Sequence, residues 1–527
     1  MTRNAGTLLI LDGWGHAPPG WGNAIAAART PTLDRLAATH PGPLLAASGA
    51  AVGLPDGVVG NSEIGHLVIG AGRPLEYDSL LVARQVDSGE LRDCPLLREA
   101  CATLAATGGA LHLVGLCSDG RIHSDIAHFG ELLRAAANAG VRAVWIHAIT
   151  DGRDVADGTA AHHLAGLTAI AAEAGAGAVA TVVGRNYAMD KSGKAELTAK
   201  ACALLLDGAG ENSARDAVSA ARQAGGDAGL APTTIAEATS VRDGDVILFA
   251  NFRSDRTAPL VDMTCDRLAA TGRAGVRLLS LTQYDTRTPV PALVPRPDAS
   301  GGLADALEVA GARSVRIAEQ EKFEHVTFFI NGRDSRPRPR ERRIRVPTAA
   351  GDRYLSRPEM NLAEVVRHVV ATGIRDDVDL VVANLANMDV VGHTGDYAAT
   401  VLAAEAVDRA VQQICAAAHH VRRWVLLVGD HGNAEQMYRS AGGVGQPYGG
   451  HTHNTVPCVL VPSGDERLVT DQPLTLPSVG PTALHLLGVP VPRTMSAPLL
   501  LAGESTGRCS RPPRPRSEGS SWGWRSE

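Results

Sequence analysis

The sequence predicts an α/β protein of two domains, each built on a mainly parallel sheet, one domain being interrupted by the other. Short apolar runs alternate with Ala/Leu-rich stretches along the 527 residues, the pattern of strands buried beneath helices on both faces of a sheet. The length exceeds what one hydrophobic core organises, so two or more domains are expected. Two Pro/Gly-rich stretches, near Gly70–Pro74 and over Thr288–Gly302, read as linkers. Cutting there leaves 1–75 and 298–506 as one discontinuous domain and 76–297 as the insertion. The closing stretch 507–527, rich in Arg, Pro, Ser and Gly, has little to bury and is expected to be disordered.

In chain order, Thr7–Leu11, Leu111–Leu116, Val144–Ile149, Val179–Val183, Val246–Ala250, Leu380–Ala383 and Trp424–Val428 read as buried strands, being short continuous apolar runs. Glu131–Asn138, Ala160–Glu173, Leu362–Ala371 and Thr400–Ala418 read as the helices between them. Chemistry on such sheets sits just past the carboxyl ends of the strands.

Composition removes several function classes. Hydrophobic residues at 45% and charged residues at 20% describe a globular protein. A net charge of −6 gives no electrostatic footprint for nucleic acid, and 4% aromatics argue against a base-stacking surface. The eight cysteines (Cys94, Cys101, Cys117, Cys202, Cys265, Cys415, Cys458 and Cys509) form no CxxC pair. Reduced thiols in a cytoplasmic protein are expected. No apolar run is long enough to span a bilayer, and Asp12 ends the first one before it resembles a signal-peptide core. Gly175, Gly177 and Ala180 fit G-x-G-x-x-A but precede a strand, and no Walker motif is present, so no nucleotide is expected. The Arg-rich segment Arg336 to Arg345 is expected to be a solvated hairpin or loop.

The strand ends carry the chemistry. Thr7–Leu11 runs into Asp12-Gly-Trp-Gly, Leu380–Ala383 into a segment holding Asp389 and His393, and Trp424–Val428 into Gly429-Asp430-His431-Gly-Asn433. His451-Thr-His453 follows. Asp and His together suit Mn²⁺ or Zn²⁺ better than Ca²⁺. Asp389 and His393, four apart, share a face if a helix begins there. Asp430 and His431 are adjacent and are expected to point in opposite directions, which would suit two metals. Ser62, in Gly60-Asn-Ser-Glu-Ile-Gly-His66, precedes a helix-like stretch. Its bland role is a helix cap. Its chemical role is a nucleophile activated by the helix N-terminus and a metal.

Asp12-Gly-Trp-Gly, Gly60-Asn-Ser-Glu-Ile-Gly-His66, Asp389-Val-Val-Gly-His-Thr-Gly395, Asp430-His-Gly-Asn-Ala-Glu435 and His451-Thr-His-Asn454 resemble the signature blocks of the cofactor-independent phosphoglycerate mutases. The likeness runs in unbroken order from about Leu8 to about Leu500. It implies an alkaline-phosphatase-like metal domain interrupted by a phosphotransferase domain. It also implies two divalent ions, commonly manganese, one on Asp12, Ser62, Asp430 and His431 and the other on Asp389, His393 and His451. Ser62 matches the residue that becomes phosphoserine. His123, Arg153, Asp154, Arg185, Arg253 and Arg256 match the substrate-handling set, and Lys322 the active-site lysine. The family usually has Arg where this chain has Lys191, which keeps the charge and loses the bidentate fork.

The resemblance implies interconversion of 3-phosphoglycerate and 2-phosphoglycerate without 2,3-bisphosphoglycerate. Ser62 would take the phosphoryl group, and Asp154 would serve as base for the glycerate hydroxyls. Domain closure would exclude water, with hinges near residue 74 and residues 290–300. The implied partner is a small phosphoglycerate, with no nucleic acid and no membrane, and the implied state is a monomer. Competing readings are another metal-dependent phosphomutase or phosphomonoesterase of the same superfamily, or a catalytically silent binding protein.

Overall fold

The computed structural model describes residues 3–190, 194–223, 225–235, 240–348, 354–441, 444–469 and 474–499. Among these, two eight-stranded sheets dominate. The first has the order Glu341–Val346, Ser314–Glu319, Leu380–Leu385, Gly6–Leu11, Trp424–Gly429, Val456–Val461, Leu44–Ala46, Leu474–Thr475. Its first five strands are mutually parallel, and Val456–Val461 runs against them. The second has the order Ala292–Val294, Arg277–Thr282, Val246–Phe249, Ala110–Leu116, Ala143–Thr150, Ala178–Gly184, Thr233–Thr234, Asn212–Ser213, with its first six parallel. The first sheet thus draws strands from both ends of the chain, and the second only from the middle.

The apolar runs become strands because both faces of each sheet are covered. Leu8 and Ile10 join one core cluster while Leu9 and Leu11 join another on the opposite face. Leu111 and Leu113 likewise separate from Val114 and Leu116. Removing each such side chain from water contributes roughly 1.5–3 kcal/mol, so a one-residue slip of register would exchange two full rows of contacts. Helices Ile126–Ala139, Ala160–Ala174, Leu362–Gly373 and Tyr397–His420 supply the covering layers.

The Arg-rich segment departs from expectation. Residues 341–346 form a parallel edge strand against Ser314–Glu319. Ile344 packs on the core and Val346 is buried. Arg343 pairs with Glu341, so its charge is satisfied along the strand. The arginines hid a period-2 pattern that pairing with a buried neighbour makes usable. Gly175 ends helix Ala160–Ala174 in the left-handed conformation, ahead of a strand, as the dismissal of the dinucleotide motif requires.

Candidate active site

Register builds the site. Leu11 stands beside Leu385 on one side and Gly429 on the other, so three parallel strands end at one level. Asp12 and Asp430 leave the sheet together there, and Asp389 follows in the short helix Asn387–Gly392. Gly13 turns the chain at φ 73°, and a Cβ on it would lie 2.8 Å from the Asp389 backbone. Only glycine allows that approach. Its N–H donates to Asp430 Oδ1 at 3.1 Å.

Ser62 begins helix Ser62–Ala71, but the cap is Asn61, whose side chain accepts from Ile64 N at 3.0 Å. The serine hydroxyl is therefore released from capping and points into the cluster. Its Oγ lies 3.1 Å from Asp12 Oδ1, 2.9 Å from His431 Nε2 and 2.6 Å from Lys322 Nζ. Lys322 also donates to Asp12 Oδ1 at 2.8 Å and Asp389 Oδ2 at 2.6 Å. Asp389 Oδ1 lies 3.2 Å from His393 Nε2 and 3.3 Å from His451 Nε2.

Asp430 and His431 do not point apart. Both reach the same cluster, with His431 Nε2 3.6 Å from Asp430 Oδ2 and 3.5 Å from Asp12 Oδ1. They lie beyond the last strand residue, Gly429, where side-chain alternation no longer applies. His431 Nε2 is also 3.7 Å from Asp389 Oδ1, so this residue stands between the two groups that could hold an ion: Asp12, Asp430 and His431, and Asp389, His431 and His451.

The donor set fits divalent cations. Nδ1 of His393 lies 2.7 Å from the Gly449 carbonyl oxygen, and Nδ1 of His451 lies 2.9 Å from that of Gly60. Each ring then carries its proton on Nδ1 and turns an Nε2 lone pair inward, the arrangement metal-ligating histidines adopt. The two Nε2 atoms face each other at 3.1 Å, which two lone pairs do not tolerate without a shared cation or proton. Asp389 Oδ1 and Asp430 Oδ2 are buried with no hydrogen-bond partner. Three buried carboxylates, Asp12, Asp389 and Asp430, face a single buried ammonium, Lys322, so the lysine alone does not offset them. Burial is the largest influence on Asp12 and Asp389 and works against their ionisation, yet the Lys322 charge and the contacts to the neighbouring histidines together outweigh it and hold both carboxyls well below the usual range. Burial also pushes His431 down, but Asp430, Asp12 and Asp389 hold it up at about 9.

The residues expected to handle substrate form a second group, past the ends of the second sheet. Asp151 Oδ1 accepts the N–H groups of Arg153 at 3.1 Å and Asp154 at 2.9 Å. Arg185 Nη1 bridges Asp151 and Asp154, the latter at 2.8 Å. The His123 carbonyl accepts from Phe252 N at 2.9 Å and Arg253 N at 3.2 Å, joining two loops. Asp255 holds the side chains of Arg253 and Arg256 at 3.0 and 3.4 Å and lies 3.7 Å from His123 Nδ1. Arg153 is exposed. A cleft of about 320 Å³ puts Arg253 and Asp255 opposite Glu63, the neighbour of Ser62. A larger cavity, about 1020 Å³, lies at the far edge of the second sheet beside Glu211 and Asn212 and contains none of these groups. Lys191 lies outside the described residues, as does the tail 507–527.

Sequence reasoning passed over Asp255, Asn384 and His66 as site residues. Asp255 stands between Arg253 and Arg256, and that acid between two arginines was the available signal. His66 had a signal too, since it stands four residues after Ser62 on one helix. Asn384 had none; its role depends on which strand lies beside Gly6–Leu11.

Glu319 ends strand Ser314–Glu319 on the approach to Lys322 and is 1% exposed. Burial pushes its carboxyl up to about 7. The neutral form's advantage is complete below the ordinary value of 4.5 and is lost as pH rises through about 7. Above that, the ionised form costs up to ~3 kcal/mol. Glu319→Gln, neutral at every pH, is expected to melt several degrees above the wild type at pH 8.5 and level with it at pH 5.5. A difference that stays constant between those pH values in scanning calorimetry would refute this.

The comparisons with known proteins agree with this geometry. The Metalloenzyme superfamily model matches residues 4–491. The 2,3-bisphosphoglycerate-independent phosphoglycerate mutase of Streptomyces coelicolor is 55% identical over 503 residues, covering 94% of this chain and 98% of that protein. The protein of that name from Moorella thermoacetica is 39% identical over 508 residues, with the same two coverages of 94% and 98%. A crystal structure of Leishmania mexicana phosphoglycerate mutase at low cobalt concentration superposes with a TM-score of 0.72 at 28% identity, covering 95% of this chain and 98% of that one. A metalloenzyme fold, divalent-metal binding and a serine among metal-suited ligands therefore come together: the chain belongs to the Metalloenzyme superfamily and, within it, to the 2,3-bisphosphoglycerate-independent phosphoglycerate mutases.

Proposed function

We infer that the protein interconverts 3-phosphoglycerate and 2-phosphoglycerate through a phosphoserine on Ser62, with two manganese ions as its resident metals. The observation that carries this reading is the Ser62 hydroxyl, held within 3.1 Å of Asp12, His431 and Lys322 at a helix N-terminus. Asp12, Ser62, Asp430 and His431 would hold one ion, and Asp389, His393 and His451 the other. When bound, the ions would supply a lowered pKa for the serine hydroxyl and positive charge for the phosphoryl oxygens.

The protein's own groups account for the rest. Ser62 Oγ attacks phosphorus in line; the Ser62 O–P bond forms as the bond to the glycerate C3 oxygen breaks. Lys322 follows the transferring phosphoryl oxygens as a mobile cation. Arg253, Arg256, Arg185 and Arg153 bind the carboxylate and phosphate, and Lys191 adds a charge without a fork. The proton that leaves the Ser62 hydroxyl ends on the departing C3 oxygen, and His123, tied to the Arg253 loop, helps bind the substrate. Glycerate turns in place, Asp154 takes the C2 hydroxyl proton, that oxygen removes the phosphoryl group from Ser62, and the proton returns from Asp154 to the freed Ser62 oxygen. The halves 1–75 with 298–506, and 76–297, would close over the substrate about residue 74 and residues 290–300, because water reaching phosphoserine would make a phosphatase.

Enolase-coupled turnover of 3-phosphoglycerate with no added 2,3-bisphosphoglycerate tests the reading. Steady release of inorganic phosphate in place of turnover would favour a phosphomonoesterase. Stripping metal with a chelator is expected to abolish turnover, and Mn²⁺ to restore it; activity that survives chelation would sink the metal assignment. No helix among the described residues is long and apolar enough to cross a membrane; the family likeness is what supports a cytoplasmic monomer acting on a small substrate.

A further inference from the structure

Behind the cluster lies a second layer of polar side chains. His66, one turn after Ser62 on the same helix, is fully buried, as is Asn384 in strand Leu380–Leu385. His66 Nδ1 lies 2.8 Å from the Ser62 carbonyl oxygen and 3.3 Å from Asp430 Oδ2. His66 Nε2 lies 3.0 Å from Asn384 Nδ2, and that nitrogen lies 2.6 Å from Asp12 Oδ2.

These distances assign every proton. An amide nitrogen only donates. Asn384 therefore gives one hydrogen to Asp12 and the other to His66 Nε2, which must carry a lone pair. The ring proton then sits on Nδ1, where it is donated to the Ser62 carbonyl, with Asp430 Oδ2 3.3 Å away. Turning the amide over would put its oxygen 2.6 Å from a carboxylate oxygen, so the orientation is forced. With Oδ2 of Asp12 held from behind, Oδ1 is the oxygen presented to Ser62, Lys322 and His431. Lys322 neutralises carboxylate charge; a neutral amide and imidazole orient it and leave it available to a cation.

We propose that His66 and Asn384 are positioning residues, Asn384 locking Asp12 in one geometry about Ser62 and His66 fixing Asn384 and the Ser62 carbonyl beside Asp430, and that they so set the affinity of the ion those carboxylates hold. The inference rests on the reading that Asp12, Asp430 and His431 hold a divalent ion. Their hydrogen bonds reach Asp12 and the Ser62 carbonyl, and His66 stands beside Asp430, whereas Asp389, His393 and His451 are held by Lys322 and by the Gly449 and Gly60 carbonyls. Their influence is thus confined to one of the two ions. Orienting groups of this kind are worth ~10–100-fold in metal affinity.

The test is calorimetric titration of metal-stripped full-length protein with Mn²⁺, together with melting of the metal-free protein. The wild type is expected to take up two ions. Asn384→Leu, close in volume and unable to donate, is expected to weaken one ion ~10–100-fold and leave the other within about twofold. Its metal-free melting temperature should move less than its Mn²⁺-loaded one. His66→Asn, which can place a donor nitrogen near the Nδ1 position, should recover part of the affinity that His66→Leu loses. Equal weakening of both ions, no weakening, or a loss that tracks metal-free melting would overturn the proposal. Should Asn384→Leu fail to fold, Asn384→Ala is read by the same isotherm. A wild type that binds no Mn²⁺ pair would defeat the underlying metal reading instead.

Discussion

Replacing Ser62 with alanine is expected to lower turnover by at least ~10⁴-fold, because in the proposed mechanism the Ser62 oxygen is what carries the phosphoryl between the two glycerate oxygens. The hydroxyl is at the meeting point of Asp12, His431 and Lys322, at 3.1, 2.9 and 2.6 Å. Those three groups have no second nucleophile to activate. The fold should survive the change. Asn61, not Ser62, caps the helix, and losing one methyl-sized hydroxyl opens little space. Protein quenched during turnover should carry one phosphoryl group on the peptide containing Ser62 in the wild type and none in Ser62→Ala. Activity in Ser62→Ala above about 1% of wild type would end the phosphoserine account.

Asp154→Asn should lower kcat by ~10²–10⁴-fold and trap the enzyme halfway. Asp154 has one oxygen 2.8 Å from Arg185 Nη1, while Oδ2 is buried with no partner. A carboxylate held by one oxygen and open at the other is poised to take a proton. Asparagine keeps the shape and loses that capacity. Since the first transfer does not need this base, phosphoserine should form and persist, and KM should change little. Rapid-quench mass spectrometry distinguishes the outcomes: Asp154→Asn with normal turnover, or with none and no phosphoserine, places Asp154 elsewhere in the sequence of events.

The strands that matter most were legible from residues alone. Thr7–Leu11 and Trp424–Val428 are continuous apolar runs because both faces of the sheet are covered, and each ends on its acid. Glu341–Val346 was not legible, because its arginines mask the alternation until Glu341 and the neighbouring strand are in place. The side-chain directions of Asp430 and His431 were misjudged for a related reason: strand geometry stops at Gly429, and a sequence does not mark that residue.

Residue order alone determined which groups exist to do the chemistry, and that each stands at the end of a strand or the start of a helix, since hydrophobic runs and turn glycines are local properties. Only the tertiary structure decided which strands lie side by side. Gly6 pairs with Leu380 and with Trp424, far along the chain, and register is a property of the whole packed sheet. That choice puts Leu11, Leu385 and Gly429 at one level. It also sets Asn384 against Asp12, and so gives an unremarked amide its hold on the carboxylate.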